Sequence, residues 1–266
     1  MNEKIKVIEG GVTAAKGFMA ASTAAGIKYK NRQDMAMIYS EVPCNAAGTF
    51  TTNLVKAAPV KWDQEIVYHA PSAQAVIINA GIANACTGAE GYGYCRATAD
   101  AAADILKIPA NAVLVASTGV IGMQIPIHKI VAGVQVMSGT LDGSLESGTN
   151  SARAIMTTDT KKKEIAVTVE LGGKTVTIGG RRSLTNDTVL LLANGLAGNP
   201  EITEKNEDYE AFKAALHVVN ETLAKKIAGD GEGCTALFEV KIVGAESKEL
   251  GSKSSGNQWK RRWPRR

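Results

Sequence analysis

Aromatic residues make up only 5% of this 266-residue chain, and its four cysteines, Cys44, Cys86, Cys95 and Cys234, form no CxxC pair. The three histidines, His69, His128 and His217, lie far apart. Zinc-ligand spacing is missing, and so is a disulfide scaffold, so the cysteines read as reduced, partly buried thiols. No GxSxG elbow occurs, and no histidine stands in a Ser/Cys–His–Asp arrangement. A histidine base for acyl transfer therefore cannot be assigned. No apolar run reaches membrane-spanning length, and Met1 to Gly11 carries Glu3, Lys4, Lys6 and Glu9 with no apolar stretch typical of a signal peptide. The expectation is a cytoplasmic protein that holds no metal and no cofactor and has neither nucleic acid nor membrane as a partner.

The charge supports that expectation once it is located. The net value is +4, but residues 248–266 hold Lys248, Lys253, Lys260, Arg261, Arg262, Arg265 and Arg266 against the single acid Glu249. The tail carries +6 and the remainder about −2, so a nucleic-acid reading of the basic balance would rest on the tail alone. That tail has no hydrophobic period and reads as disordered.

What the chain has in plenty is glycine, 27 residues, and short apolar runs ending in glycine or asparagine turns. Asp34 to Ser40, Ala73 to Ile78 and Ala112 to Ala116 read as strands, and Gly93 to Leu106 as an alanine-rich helix between the last two. Strand, glycine loop, helix, strand is an α/β pattern. Pro126 to Met137 and, more weakly, Ser144 to Ile155 have helical spacing. Lys163 to Gly180 has two alternating runs around Gly172–Gly173 and predicts a β-hairpin with a two-residue turn. Thr188 to Ala193 is a further apolar run, Tyr209 to Ala228 an amphipathic helix, and Leu237 to Val243 a strand.

Four places suit chemistry. Asn79 to Gly88 (NAGIANACTG) follows a strand and precedes a helix, where backbone N–H groups can approach a ligand; its alternative is a tight turn. Ser117–Thr118–Gly119–Val120–Ile121–Gly122 ends a strand. A hydroxyl beside a glycine N–H there can stabilise an oxyanion, or it can cap a helix. Thr157–Thr158–Asp159–Thr160 can hold an amino-acid substrate or cap a turn. Asp230–Gly231–Glu232–Gly233 can bring a carboxylate to an ammonium group, or be a solvated helix end. Acyl transfer without histidine has one known chemical route: a threonine freed at a new N-terminus, its own amine acting as base.

In this order, these segments resemble the ornithine acetyltransferase (glutamate N-acetyltransferase) family of arginine biosynthesis. Asn79 to Gly88 is similar to its Asn-x-Gly-x-Ala-Asn-Ala-Cys-Thr-Gly signature. Ser117 to Gly122 is similar to its oxyanion-hole motif, and Ala154 to Thr160 to its substrate turn. Gly10 to Phe18, Thr185 to Val189 and Asp230 to Gly233 match as well, and the likeness runs over about residues 5–247. It implies an α/β fold of sandwiched sheets flanked by helices. It implies acetyl transfer from N-acetylornithine to glutamate, giving ornithine and N-acetylglutamate, with acetyl-CoA as a further possible donor in some members. It assigns Thr118 and Gly119 to the oxyanion hole and Thr157, Thr158 and Glu232 to substrate binding. Intact members are expected to be oligomers.

The departures are equally specific. Members cleave themselves at an Ala-Thr bond, and the new N-terminal threonine is the nucleophile. That bond lies in a segment following the hairpin, where this chain has only Arg181–Arg182–Ser183–Leu184. The one Ala-Thr pair, Ala97–Thr98, falls inside a helix candidate. By this resemblance residues 1–180 form an N-terminal region, 181–247 the remnant of the C-terminal one, and 248–266 the basic tail. An inactive chain is the expectation, with a non-catalytic binder of N-acetylated amino acids as the alternative. Loss of packing partners around Thr188 to Ala193 is expected too.

Overall fold

In a computed structural model of the chain, residues 5–182, 189–193 and 202–230 are described, without the side chains of Arg182 and Val189. Two four-stranded sheets carry the fold. The first runs β2 (Phe18–Thr23), β3 (Met35–Cys44), β4 (Ala73–Ile82), β5 (Val113–Val120). Its first three strands pair antiparallel, whereas β4 and β5 are parallel. The second runs β1 (Ile5–Ile8), β6 (Glu164–Leu171), β7 (Lys174–Arg182), β8 (Val189–Ala193), antiparallel throughout.

The parallel pair requires a crossover, which α2 (Glu90–Leu106) supplies. Alternation along β3 then builds two cores. Met35 and Met37 face α1 (Ala58–His69), α2 and α3 (Ile127–Ser138), packing with Trp62, Ala99 and Val134. Ala36 and Ile38 point the other way. Ala36 meets Ala154 and Ile155 at the end of α4 (Leu145–Ala154), and Ile38 joins Val12, Leu190 and Leu192. The far face of the second sheet, with Val167, Val169 and Ile178, is covered by α5 (Tyr209–Ala228) through Ala215, Val219 and Leu223. Each such aliphatic side chain contributes about 1.5–3 kcal/mol when fully buried. The order is helices, sheet, sheet, helix: the sandwiched α/β architecture that the resemblance implied.

Several elements match their sequence signals closely. The hairpin turns on Gly172 and Gly173, both at positive φ as a primed turn needs. The α5 boundaries coincide with the predicted ones. Ser144 caps α4 by accepting a hydrogen bond from Ser147 N at 3.2 Å. Other boundaries moved. β3 starts one residue late because the buried Asp34 carboxylate closes the preceding loop, accepting from Ala25 N at 2.8 Å and Ile27 N at 2.6 Å. β4 and β5 run on through Ile82 and Val120, so Asn79–Gly81 and Ser117–Gly119 are strand residues rather than loop. Helix α1 was not foreseen. It docks by Trp62 Nε1 donating to Val113 O at 2.9 Å, and by Asp63 accepting from Val115 N at 2.8 Å. β8 keeps partners on both faces: Leu190 and Leu192 join the inner core, Leu191 and Ala193 the α5 core. All four side chains are nevertheless only half-buried. The expected strand Leu237 to Val243, Thr185 to Thr188 and the tail 248–266 lie outside the described residues.

Candidate functional site

Extension of β4 and β5 past their predicted ends brings two of the sequence motifs together. Asn79 pairs with Ser117, Ala80 with Thr118 and Gly81 with Gly119. Both motifs therefore lie at the C-terminal end of a parallel pair, where ligands collect in α/β sheets. The backbones approach so closely that a Cβ on Gly119 would lie 2.3 Å from the Gly81 carbonyl carbon. Gly119 has φ +130 and Gly81 φ +102, a region that side-chain-bearing residues rarely adopt.

The rest of the first motif is a polar lock. Asn84 N donates to Ser117 Oγ at 2.8 Å, and that hydroxyl donates to Ile82 O at 3.0 Å. Asn84 Nδ2 donates to Gly91 O at 2.8 Å, Thr87 Oγ1 donates to Asn84 Oδ1 at 2.7 Å, and Asn79 Nδ2 donates to Ile82 O at 2.8 Å. Gly91 must lack a side chain, since a Cβ there would sit 2.2 Å from Thr87 Oγ1. Beneath this lock the Cys95 thiol is pushed up to about 12 by burial and by the Asp63 charge, which makes it unreactive. Burial raises Asp63 to about 7, partly opposed by its bond from Val115. Cys86, the cysteine of the motif itself, is exposed and sits at φ +56.

Thr118 differs from its neighbours. It is 3% exposed, and among the described residues its Oγ1 has no hydrogen-bond partner. Its side chain shares a strand face with Ala116, which packs against Ala154 and Ile155. Met156, Thr157 and Thr158 follow Ile155 directly in the chain. Thr157 N donates to Asp159 Oδ2 at 3.1 Å, and Thr158 is exposed.

The third and fourth motifs meet through a lysine that sequence reasoning passed over. Lys163 is buried, and its Nζ donates to Asp159 Oδ1 and to Asp230 Oδ2, each at 2.5 Å, and to Lys161 O at 3.2 Å. Asp230 also accepts from Thr160 N at 3.0 Å, Lys161 N at 3.2 Å and the Thr160 hydroxyl. These bonds, Lys163 first, hold the Asp230 carboxyl far below the ordinary carboxylate range. Seventy residues apart in sequence, the two segments form one cluster. Glu232 follows two residues later and lies outside the described residues.

At the join that replaces the expected nucleophile segment, Arg181 is 2% exposed and faces Glu164 across the strand pair. Its Nη1 donates to Ser151 O at 2.8 Å and Ser151 Oγ at 3.1 Å. Burial pulls the guanidinium down to about 9, with Glu164 opposing. Arg181 Nη2, Glu164 Oε2 and Thr13 Oγ1 are buried without partners among the described residues. Among those residues, no group of three or more His, Cys, Asp or Glu side chains could hold a metal ion, and no helix is long and apolar enough to cross a membrane.

Comparison with known proteins gives one answer. The sequence model of the ArgJ family matches residues 19–183 and, as a second piece, residues 180–256. The chain is 40% identical to arginine biosynthesis bifunctional protein ArgJ 1 of Clostridium acetobutylicum, covering 92% of this chain and 71% of the relative. It is 41% identical to the corresponding protein of Symbiobacterium thermophilum, covering 90% and 71%. Among solved structures it resembles ornithine acetyltransferase of Mycobacterium tuberculosis, complexed with ornithine, with a TM-score of 0.63 and 39% identity over 70% of this chain and 100% of that one. The Bacillus halodurans argJ protein gives 0.64 and 36% over 71% and 100%. The Clostridium alignment spans 294 positions, more than the 266 residues of the chain, so the relative carries residues with no counterpart here. The two family pieces meet at residues 180–183, where Arg181 stands. This chain therefore belongs to the ArgJ family of acyltransferases in arginine biosynthesis.

Proposed function

We propose that the chain retains the pocket for acetyl transfer from N-acetylornithine to glutamate but does not turn substrates over. Thr118 and Gly119 form the oxyanion hole, and Thr157, Thr158 and Glu232 hold the amino-acid portion. The observation that carries this is the buried Thr118 hydroxyl at the end of β5, without a hydrogen-bond partner among the described residues. A buried hydroxyl left without a partner costs about 1–3 kcal/mol, which a ligand oxygen would recover.

The chemistry needs a group that attacks the acetyl carbon and then carries the acetyl to the acceptor. In the family resemblance that group is a threonine with a free amine, in a segment for which residues 180–183 leave no room. Without it the oxyanion hole still polarises a bound acetyl carbonyl, and no acetyl-enzyme forms. Acetyl-CoA as a donor would meet the same obstacle. Binding without turnover is thus the favoured behaviour, and N-acetylornithine, ornithine, glutamate and N-acetylglutamate are the ligands proposed.

Two measurements on the full chain test this. Calorimetry with N-acetylornithine should give saturable heat, while ornithine release in the presence of glutamate should stay at the blank rate. Intact mass should show one uncleaved chain. Two chains from self-cleavage, or turnover above blank, would overturn the inactive reading; absence of heat would overturn the retained pocket.

A further inference from the structure

Beside the Thr157–Thr160 turn lies an open depression of about 640 Å³, lined by Arg32, Arg153, Met156, Asp159, Lys161 and Lys162 among others. Its charge does not balance. Around it stand five cations, Arg32, Arg153, Lys161, Lys162 and Lys163, against three carboxylates, Asp159, Glu164 and Asp230. The carboxylates are already engaged: Asp159 and Asp230 on the buried Lys163, and Glu164 on Lys162 at 2.5 Å. Two positive charges are left over, and Arg32, Arg153 and Lys161 have no carboxylate partner among the described residues.

The rim is partly preset. The Arg32 guanidinium lies 4.6 Å from the centre of the Tyr29 ring and donates to the Met156 carbonyl. Lys161 has its backbone N–H fixed to Asp230. Arg153 stands on the last turn of α4 and donates to Asn150 Oδ1 at 3.3 Å. Cations gathered without counter-charge repel one another, and an anion placed among them relieves that repulsion while gaining charge-assisted hydrogen bonds.

We propose that this depression binds a small anion carrying at least two negative charges, either a dicarboxylate or a phosphate-bearing group. The site lies next to the substrate turn but uses none of Thr118, Gly119, Thr157 or Thr158, so it stands whether or not acetyl transfer occurs.

The test is calorimetry on the full chain at low ionic strength, with inorganic pyrophosphate and with succinate as probes. At least one should bind saturably at one site per chain. The double variant Arg153→Gln/Lys161→Gln should weaken that probe by about tenfold or more. The charge-matched control Lys205→Gln/Lys213→Gln should change it less than about twofold, because Lys213 sits thirteen residues up α5 from Lys226, which reaches the start of β6. Pyrophosphate alone identifies a phosphate-bearing ligand, and succinate alone a dicarboxylate; either result supports the site. No saturable binding of either probe, or equal weakening by the control pair, overturns it. N-acetylornithine, with one carboxylate, is titrated in parallel and reports the Thr118 pocket separately.

Discussion

The end of the parallel pair β4–β5 and the start of the hairpin β6–β7 are both buried and polar, yet they are built differently. In the first, Asn79, Asn84, Thr87 and Ser117 satisfy one another and the backbone, and among the described residues a single buried side-chain oxygen, Thr118 Oγ1, is without a partner. In the second, Lys163 is fully engaged, but Glu164 Oε2, Arg181 Nη2 and nearby Thr13 Oγ1 are all left over. One orphan at a strand end is what a site awaiting a ligand oxygen needs. Three orphans around a buried guanidinium, where two family segments abut, are what a join leaves behind. An unpaired polar atom thus carries no meaning alone; its neighbours decide between function and misfit.

The largest effect comes from making the engaged part of the second region resemble its unsatisfied part. Lys163→Met would leave Asp159 and Asp230 facing each other without their shared cation, costing about 3–5 kcal/mol in urea unfolding. Adding Asp159→Asn and Asp230→Asn should recover part of that loss, since the carboxylate repulsion is gone. A smaller effect of opposite sign is expected at the join. Arg181→Met replaces a half-satisfied buried charge by an apolar chain of similar length, and should raise stability by about 1–2 kcal/mol at pH 7.5. The gain depends on pH. The folded state holds the Arg181 proton less tightly than the unfolded chain does, with its pKa lowered from 12.5 to about 9. Between these values the unfolded chain binds more protons, so the wild-type protein gains stability as pH rises through 9 and the advantage of the variant shrinks. A thermal-shift difference that is the same at pH 7.5 and pH 10 would remove Arg181 as its cause.

The motifs of the candidate site were readable in the sequence and the family in the resemblance, but the connections between parts came only from packing. The hairpin and α5 were legible because period-2 and period-3.6 patterns are local. The pairing of Ala80 with Thr118 was not, because glycine and asparagine at 79–81 look like a turn until a parallel partner draws them into the ladder. Helix α1 escaped because its apolar stripe is thin: only Pro59, Trp62 and Ile66 are buried. Lys163 was hidden for the opposite reason. As the third of three consecutive lysines it has the pattern of a solvated charge run, and nothing local distinguishes the one that turns inward to reach Asp230, 67 residues away. The basic depression follows from that inward turn, since Lys163 holds the acids that would otherwise neutralise the rim.

Thr118→Val supplies the finest discrimination between the two regions. Valine has nearly the same shape as threonine and lacks only the hydroxyl, so the exchange removes the orphan without opening a cavity. If the hydroxyl is idle, stability should rise or stay within about 1 kcal/mol, as expected when an unpartnered polar atom gives way to an apolar one. Arg181→Met shares that expectation, so stability alone does not separate the orphans. Ligand affinity does. Thr118→Val should weaken N-acetylornithine in calorimetry by about fivefold to tenfold, the value of one neutral hydrogen bond, while Arg181→Met leaves it unchanged. Equal affinity in both variants would mean that Thr118 is a misfit of the same kind as Arg181, and the oxyanion-hole assignment would fall with it.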